Sequence, residues 1–141
     1  MTNETNKRIV SDFWTAFEAN DRGTLEAVLA PDLRAHSPFA PEPIERDAHL
    51  QGVTMFNEAF SDRDFAVEVM IAEGNTVATR TTMRGTHTGV FQGHPPTGTR
   101  IETTGLTMER IEDGRIVERW FNFDIAGALQ ELGISMDPEH G

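Results

Sequence analysis

Cysteine is absent from the chain, which removes disulfides, thiolate nucleophiles and thiolate zinc sites together. Basic residues are scarce: 12 Lys and Arg stand against 23 Asp and Glu, a net charge of −11. That field repels phosphate backbones and anionic lipid surfaces, so neither nucleic acid nor a membrane is an expected partner. No apolar run approaches membrane-spanning length. The opening MTNETNKRIV lacks the apolar stretch of a signal peptide, and a cytoplasmic protein is the expectation. Neither a G-x-G-x-x-G nor a P-loop occurs. His36, His49, His87 and His94 form no H-x-H or H-x-x-x-H pair, so no metal site and no cofactor are expected.

What remains is a globular composition, 38% apolar with nine Phe and two Trp. Its 141 residues suffice for a single domain with one sizeable core, taken here as 1–141. Residues 5–20 carry Ile9, Val10, Phe13, Trp14 and Phe17 at steps of three and four, an amphipathic helix stopped at Asn20-Asp21-Arg22-Gly23. A shorter helix follows, with Thr24 as its cap and Pro31 as its end. DLRAHS (32–37) alternates, FAPEPIERD is a proline-rich loop, and Leu50, Val53, Phe56 and Phe60 mark a third helix over 47–60.

From Asp64 the period becomes two. Two strands flank Glu73-Gly74-Asn75, and two longer ones flank Asp113-Gly114, whose residues tolerate the positive φ of a tight hairpin. GVFQGHPPTG separates the strands at 76–88 and 99–111, and IAGALQELG closes the series as a short helix stopped by Gly133. Helices followed by antiparallel strands predict an α+β fold.

The segment from Gly85 to Asp124 resembles the SnoaL-like polyketide cyclase family of the NTF2-like superfamily. Its carriers are Gly85-Thr86-His87-Thr88-Gly89, the Gly93–Gly98 loop with Pro96-Thr97-Gly98, the Asp113-Gly114-Arg115-Ile116 hairpin, and Glu118-x-Trp120-x-x-x-Asp124. The resemblance implies an NTF2-like cone-shaped barrel of three to four helices packed on a strongly curved, mainly antiparallel sheet. It also implies a cofactor-independent enzyme in which Asp124 is the acid/base for an intramolecular aldol closure of a small hydrophobic carbonyl compound. Isomerase, dehydratase or epoxide-opening chemistry, or a non-catalytic ligand-binding or dimerisation module, are the alternatives on the same cone. A homodimer is the expected assembly. Where the cyclases carry polar Gln and His on the preceding strand, this chain has Met108 and Arg110.

The candidate site follows. Asp124 needs a raised pKa and a place facing a cavity to act as acid/base; as an N-cap of IAGALQEL it would instead bond backbone N–H groups. His36 is the expected catalytic partner of Asp124. Trp14, Phe17, Phe56, Phe60, His87, Met108, Arg110 and Trp120 are the expected substrate-binding residues, His87 with a structural role in view. Strand alternation lets only one of Arg110 and Arg119 point inward, and Arg119 is expected in a surface ion pair. Glu118 is expected on a solvated rim opposite a like-charged Glu109. His49 and His140 are read as surface residues.

Overall fold

The computed structural model describes residues 2–134. Its elements are α1 (Asn3–Ala19), α2 (Arg22–Val28), β1 (Leu29–His36), α3 (Arg46–Ala59), β2 (Phe60–Glu73), β3 (Thr76–His87), β4 (Arg100–Glu112), β5 (Arg115–Phe123) and α4 (Ile125–Glu131). Four helices pack on one five-stranded sheet of order β1-β5-β4-β3-β2. Only β1 runs parallel to its neighbour, so the sheet is mixed and mainly antiparallel, as expected.

Three boundaries differ from the sequence reading. Asp21, not Thr24, caps α2: its Oδ1 accepts from the Thr24 N–H at 3.2 Å and its Oδ2 from the Thr24 hydroxyl at 2.6 Å. Pro31 ends no helix. It lies inside β1, where the register against β5 shifts between Leu29 and Arg34, a place a proline tolerates. Phe60 belongs to β2 rather than to α3.

The central strands bury alternate residues. On β4 the inner set is Ile101, Thr103, Thr107, Glu109 and Ile111; on β5 it includes Arg119 and Phe121, with Phe123 half-buried on the same face. Against this face lies the aromatic stripe of α1, with Val10, Phe13, Trp14 and Phe17 all buried. Bulges at 61–64 and 67–69 on β2, and at the β4–β5 turn, bend the sheet around that core.

Two hydrogen-bonded devices join the helices to the sheet. Arg63 donates to the carbonyls of Glu18, Asn57 and Phe60 at 2.9–3.0 Å, which places a cation at the carboxyl ends of α1 and α3. Asn57 donates to the Phe17 carbonyl and to Asn20. The two motif glycines are explained by close approach. A Cβ on Gly89 would sit 2.2 Å from the Glu58 carbonyl oxygen, and one on Gly85 would sit 3.0 Å from the Phe60 Cβ.

Candidate active site

The inner face of the sheet, α3 and the loop after β1 enclose a cavity of about 260 Å³, just below the roughly 300–1,000 Å³ of pockets that take drug-sized ligands. Phe17, Ile44, Val53, Phe56, Phe121 and Phe123 supply apolar wall. Phe39, Met55 and Val90 also line it, and each remains exposed in the folded chain, so they rim its mouth. Two polar side chains interrupt this surface from the buried side, His49 and Arg119.

Arg119 is 1% exposed. Its guanidinium lies 4.4 Å from the Phe13 ring centroid and 4.7 Å from that of Phe121. Nε donates to Glu109 Oε2 at 3.0 Å, and Nη1 donates to His49 Nε2 at 3.1 Å. Glu109 is fully buried, and its Oε1 also accepts from the Thr107 hydroxyl at 3.1 Å. Burial pushes Glu109 up from the usual carboxylate value, against the downward pull of Arg119. A chain of contacts therefore runs Glu109–Arg119–His49 to the cavity.

Burial, and then the Arg119 charge, lower His49 from 6.5 to about 3. The ring is neutral at ordinary pH. Because an arginine can only donate, Nε2 is the acceptor and the ring proton sits on Nδ1. The unfolded chain binds a proton here that the folded chain refuses, so this contribution to stability is full above 6.5 and is lost as pH falls toward 3. At up to about 1.4 kcal/mol per pH unit, unfolding monitored in denaturant at pH 5 is expected to show a loss of about 2 kcal/mol relative to pH 7.5. His49→Gln is expected to flatten that slope.

The aspartate of the closing motif is placed differently. Asp124 is exposed and is the N-cap of α4, its Oδ1 accepting from the Gly127 N–H at 2.9 Å. Of the two geometries weighed for it, the structure contains the cap. Residues 7–132 match the family model for SnoaL-like polyketide cyclases. The chain belongs to the SnoaL-like polyketide cyclase family.

Two relatives in this family are aklanonic acid methyl ester cyclases. DauD of Streptomyces sp. (strain C5) is 30% identical over 110 residues, which span 77% of this chain and 66% of DauD, just under two thirds of its length. DnrD of Streptomyces peucetius is 30% identical over 106 residues, 74% of this chain and 71% of DnrD. Among solved structures, IdmH of Streptomyces antibioticus, a candidate polyketide cyclase, is 34% identical with a TM-score of 0.81, over 92% of this chain and 99% of its own. AclR of Streptomyces galilaeus, a candidate hydroxylase, is 26% identical with a TM-score of 0.87, over 96% and 85% of the two chains.

Within this SnoaL-like frame, Phe17 and Phe56 line the cavity. Trp14 and Phe60 are buried in the aromatic packing beside it and contribute no wall. Met108, Arg110, Trp120 and His36 alternate onto the opposite, outer face of the sheet. There the His36 ring stacks on Trp120 with 5.1 Å between centroids, and its Nε2 bonds Glu118 at 2.7 Å rather than Asp124. Arg110 donates to Glu118 at 3.2 Å and to Glu112. The hydrogen bond with His36, and then Arg110, hold Glu118 below the usual carboxylate range.

The pairing of charges on these strands is thus the reverse of the expectation. Glu118 faces Arg110 and Glu109 faces Arg119, so opposite charges meet across the hairpin, and Arg119 is the inward arginine. His49 is buried rather than at the surface, and His140 lies outside the described residues. His87 takes a structural position. Its Nδ1 accepts from the Thr97 N–H at 3.2 Å and its backbone bonds Thr99 and Gly98, tying down the loop between β3 and β4. Among the described residues no group of three or more His, Cys, Asp or Glu could hold a metal, and no helix is long and apolar enough to cross a membrane.

Proposed function

We propose that this chain catalyses cofactor-free ring closure of a small, hydrophobic, polyketide-derived carbonyl compound by an intramolecular aldol reaction. The observation that carries the reading is an apolar cavity, in a chain of this family, whose buried end is polar. In that reaction a base removes a proton beside one carbonyl, and the carbanion attacks a second. The second carbonyl's π pair moves onto its oxygen, which is then protonated. The product is an isomer of the substrate.

The resemblance assigns both proton transfers to Asp124, which follows the cavity residue Phe123 and would act from a rotamer released from Gly127. Aklanonic acid methyl ester and smaller keto esters are the substrates to try, followed by chromatography and mass measurement. Turnover to a product of unchanged mass is expected. A product one oxygen atom heavier would favour hydroxylation, the reading suggested by the likeness to AclR. No turnover of any keto ester would count against both. Asn caps a helix as well as Asp, so Asp124→Asn should keep the fold while lowering kcat by about 10²–10⁴-fold. Full activity in that variant would leave Asp124 a cap alone.

A homodimer through the outer sheet face is part of the same proposal. Val69, Ile71, Leu106 and Met108 are exposed there, next to Trp120, a concentration of apolar surface that a second copy would cover. Light scattering is expected to give about twice the 15.7 kDa chain mass. A monomer at working concentration would contradict the arrangement.

A further inference from the structure

We infer that His49, through its Nδ1–H, is the hydrogen-bond donor that receives the buried carbonyl oxygen of the ligand. The geometry narrows the possibilities. Arg119 occupies Nε2, which fixes the tautomer and leaves Nδ1 as the donor. No described residue bonds Nδ1, and that atom is not among those sealed away without a partner. His49 itself is a wall residue of the cavity. Its ring is held in place by Phe13, stacked at 6.2 Å between centroids, and Phe121 at 5.2 Å.

The electrostatics give the donor its character. A cation donating into Nε2 withdraws electron density from the ring and strengthens the N–H on the other side. The same contact prevents the ring from serving as a base. His49 is therefore a neutral electrophilic group: it would stabilise the oxygen that gains negative charge as the carbon–carbon bond forms, without transferring its proton. Glu109 acts only as a positioning residue, fixing Arg119 and cancelling its charge. With that cancellation the base of the cavity carries no net charge. It should favour a ketone or ester oxygen over a carboxylate, whose desolvation would meet no net positive charge there, even though Arg119 Nη2 has no hydrogen-bond partner among the described residues.

This inference rests on the proposed ring closure for its catalytic meaning, yet its test needs no turnover. The probes are 2-acetylnaphthalene, the matched hydrocarbon 2-ethylnaphthalene, and 2-naphthoate, with affinities from calorimetry and the carbonyl stretching frequency of the bound ketone from difference infrared spectroscopy. The ketone is expected to bind about tenfold tighter than the hydrocarbon, and tighter than 2-naphthoate. Its carbonyl band should fall below the value in hydrocarbon solvent. His49→Leu should abolish both effects. Because that change also deprives Arg119 of its acceptor, His49→Gln is measured beside it: the amide can accept from Arg119 and still donate, so the band shift should return. Equal affinities for ketone and hydrocarbon, an unshifted band in the unaltered protein, or tightest binding of 2-naphthoate would each overturn the inference. If isomerisation of a keto ester is found while the band stays unshifted, the ring-closing reading survives and this assignment of His49 does not.

Discussion

Glu109→Gln is expected to lower the free energy of unfolding by about 3–5 kcal/mol, a large share of the roughly 5–15 kcal/mol that holds a domain of this kind together. The substitution is nearly isosteric and keeps an oxygen to accept from Arg119 Nε. What it removes is the charge opposite a guanidinium that is 1% exposed. An arginine cannot escape by losing its proton, so the folded state would bury an uncompensated cation. Arg119→Met should cost less, because the stranded Glu109, already pushed up by burial, can neutralise itself by taking a proton. The double variant should be more stable than the sum of the two losses predicts, since a buried ion pair replaced by packed neutral side chains is often close to neutral. Urea unfolding of the four proteins at pH 7 measures all of this. A loss below about 1 kcal/mol for Glu109→Gln would mean that water reaches the pair, and that the base of the cavity is not the dry, charge-compensated surface described above.

The same pair shows how far the sequence can be read. Helix and strand order, the α+β class and the hairpin at Asp113-Gly114 are legible because each rests on local periodicity or turn chemistry, whereas the curvature of the sheet is implied only by the family resemblance. Which face of a strand points inward is legible only as a parity, and Trp120, the largest apolar side chain on β5, points to the wrong one. Trp120 in fact stacks on His36 outside, while Phe121 and Phe123 carry the inner set and take Arg119 with them. One residue of slip reverses every side chain, so Met108, Arg110 and His36 lie on the outer face together.

His49 carries a signal in the sequence. It stands four residues before Val53 and seven before Phe56, on the stripe of α3 that meets the cavity, and only its polarity makes it read as a surface residue. Asp124 is poised between two geometries at the level of sequence. The residues that follow it are good helix formers, and a local N-cap bond to Gly127 wins where no buried partner is offered.

Filling the cavity mouth from Gly52 tests most directly whether the cavity is the site of reaction. Gly52 lies on α3, lines the cavity, and has nothing within 4 Å of where a Cβ would stand. A long side chain on a helix points back over the preceding turn, so the aromatic ring introduced by Gly52→Phe is carried toward His49. Replacing a helical glycine by phenylalanine also recovers part of the roughly 0.5–1 kcal/mol by which glycine falls short of alanine in a helix, so Gly52→Phe should be at least as stable as the parent in urea. Under these conditions the decisive quantity is kcat/KM for the ring closure of aklanonic acid methyl ester, or of the keto ester found to react best. The account predicts a fall of about 10²-fold or more in a fully folded variant, because the substrate can no longer bring its carbonyl to the base of the cavity. A folded Gly52→Phe protein that closes the ring at the parent rate would contradict it.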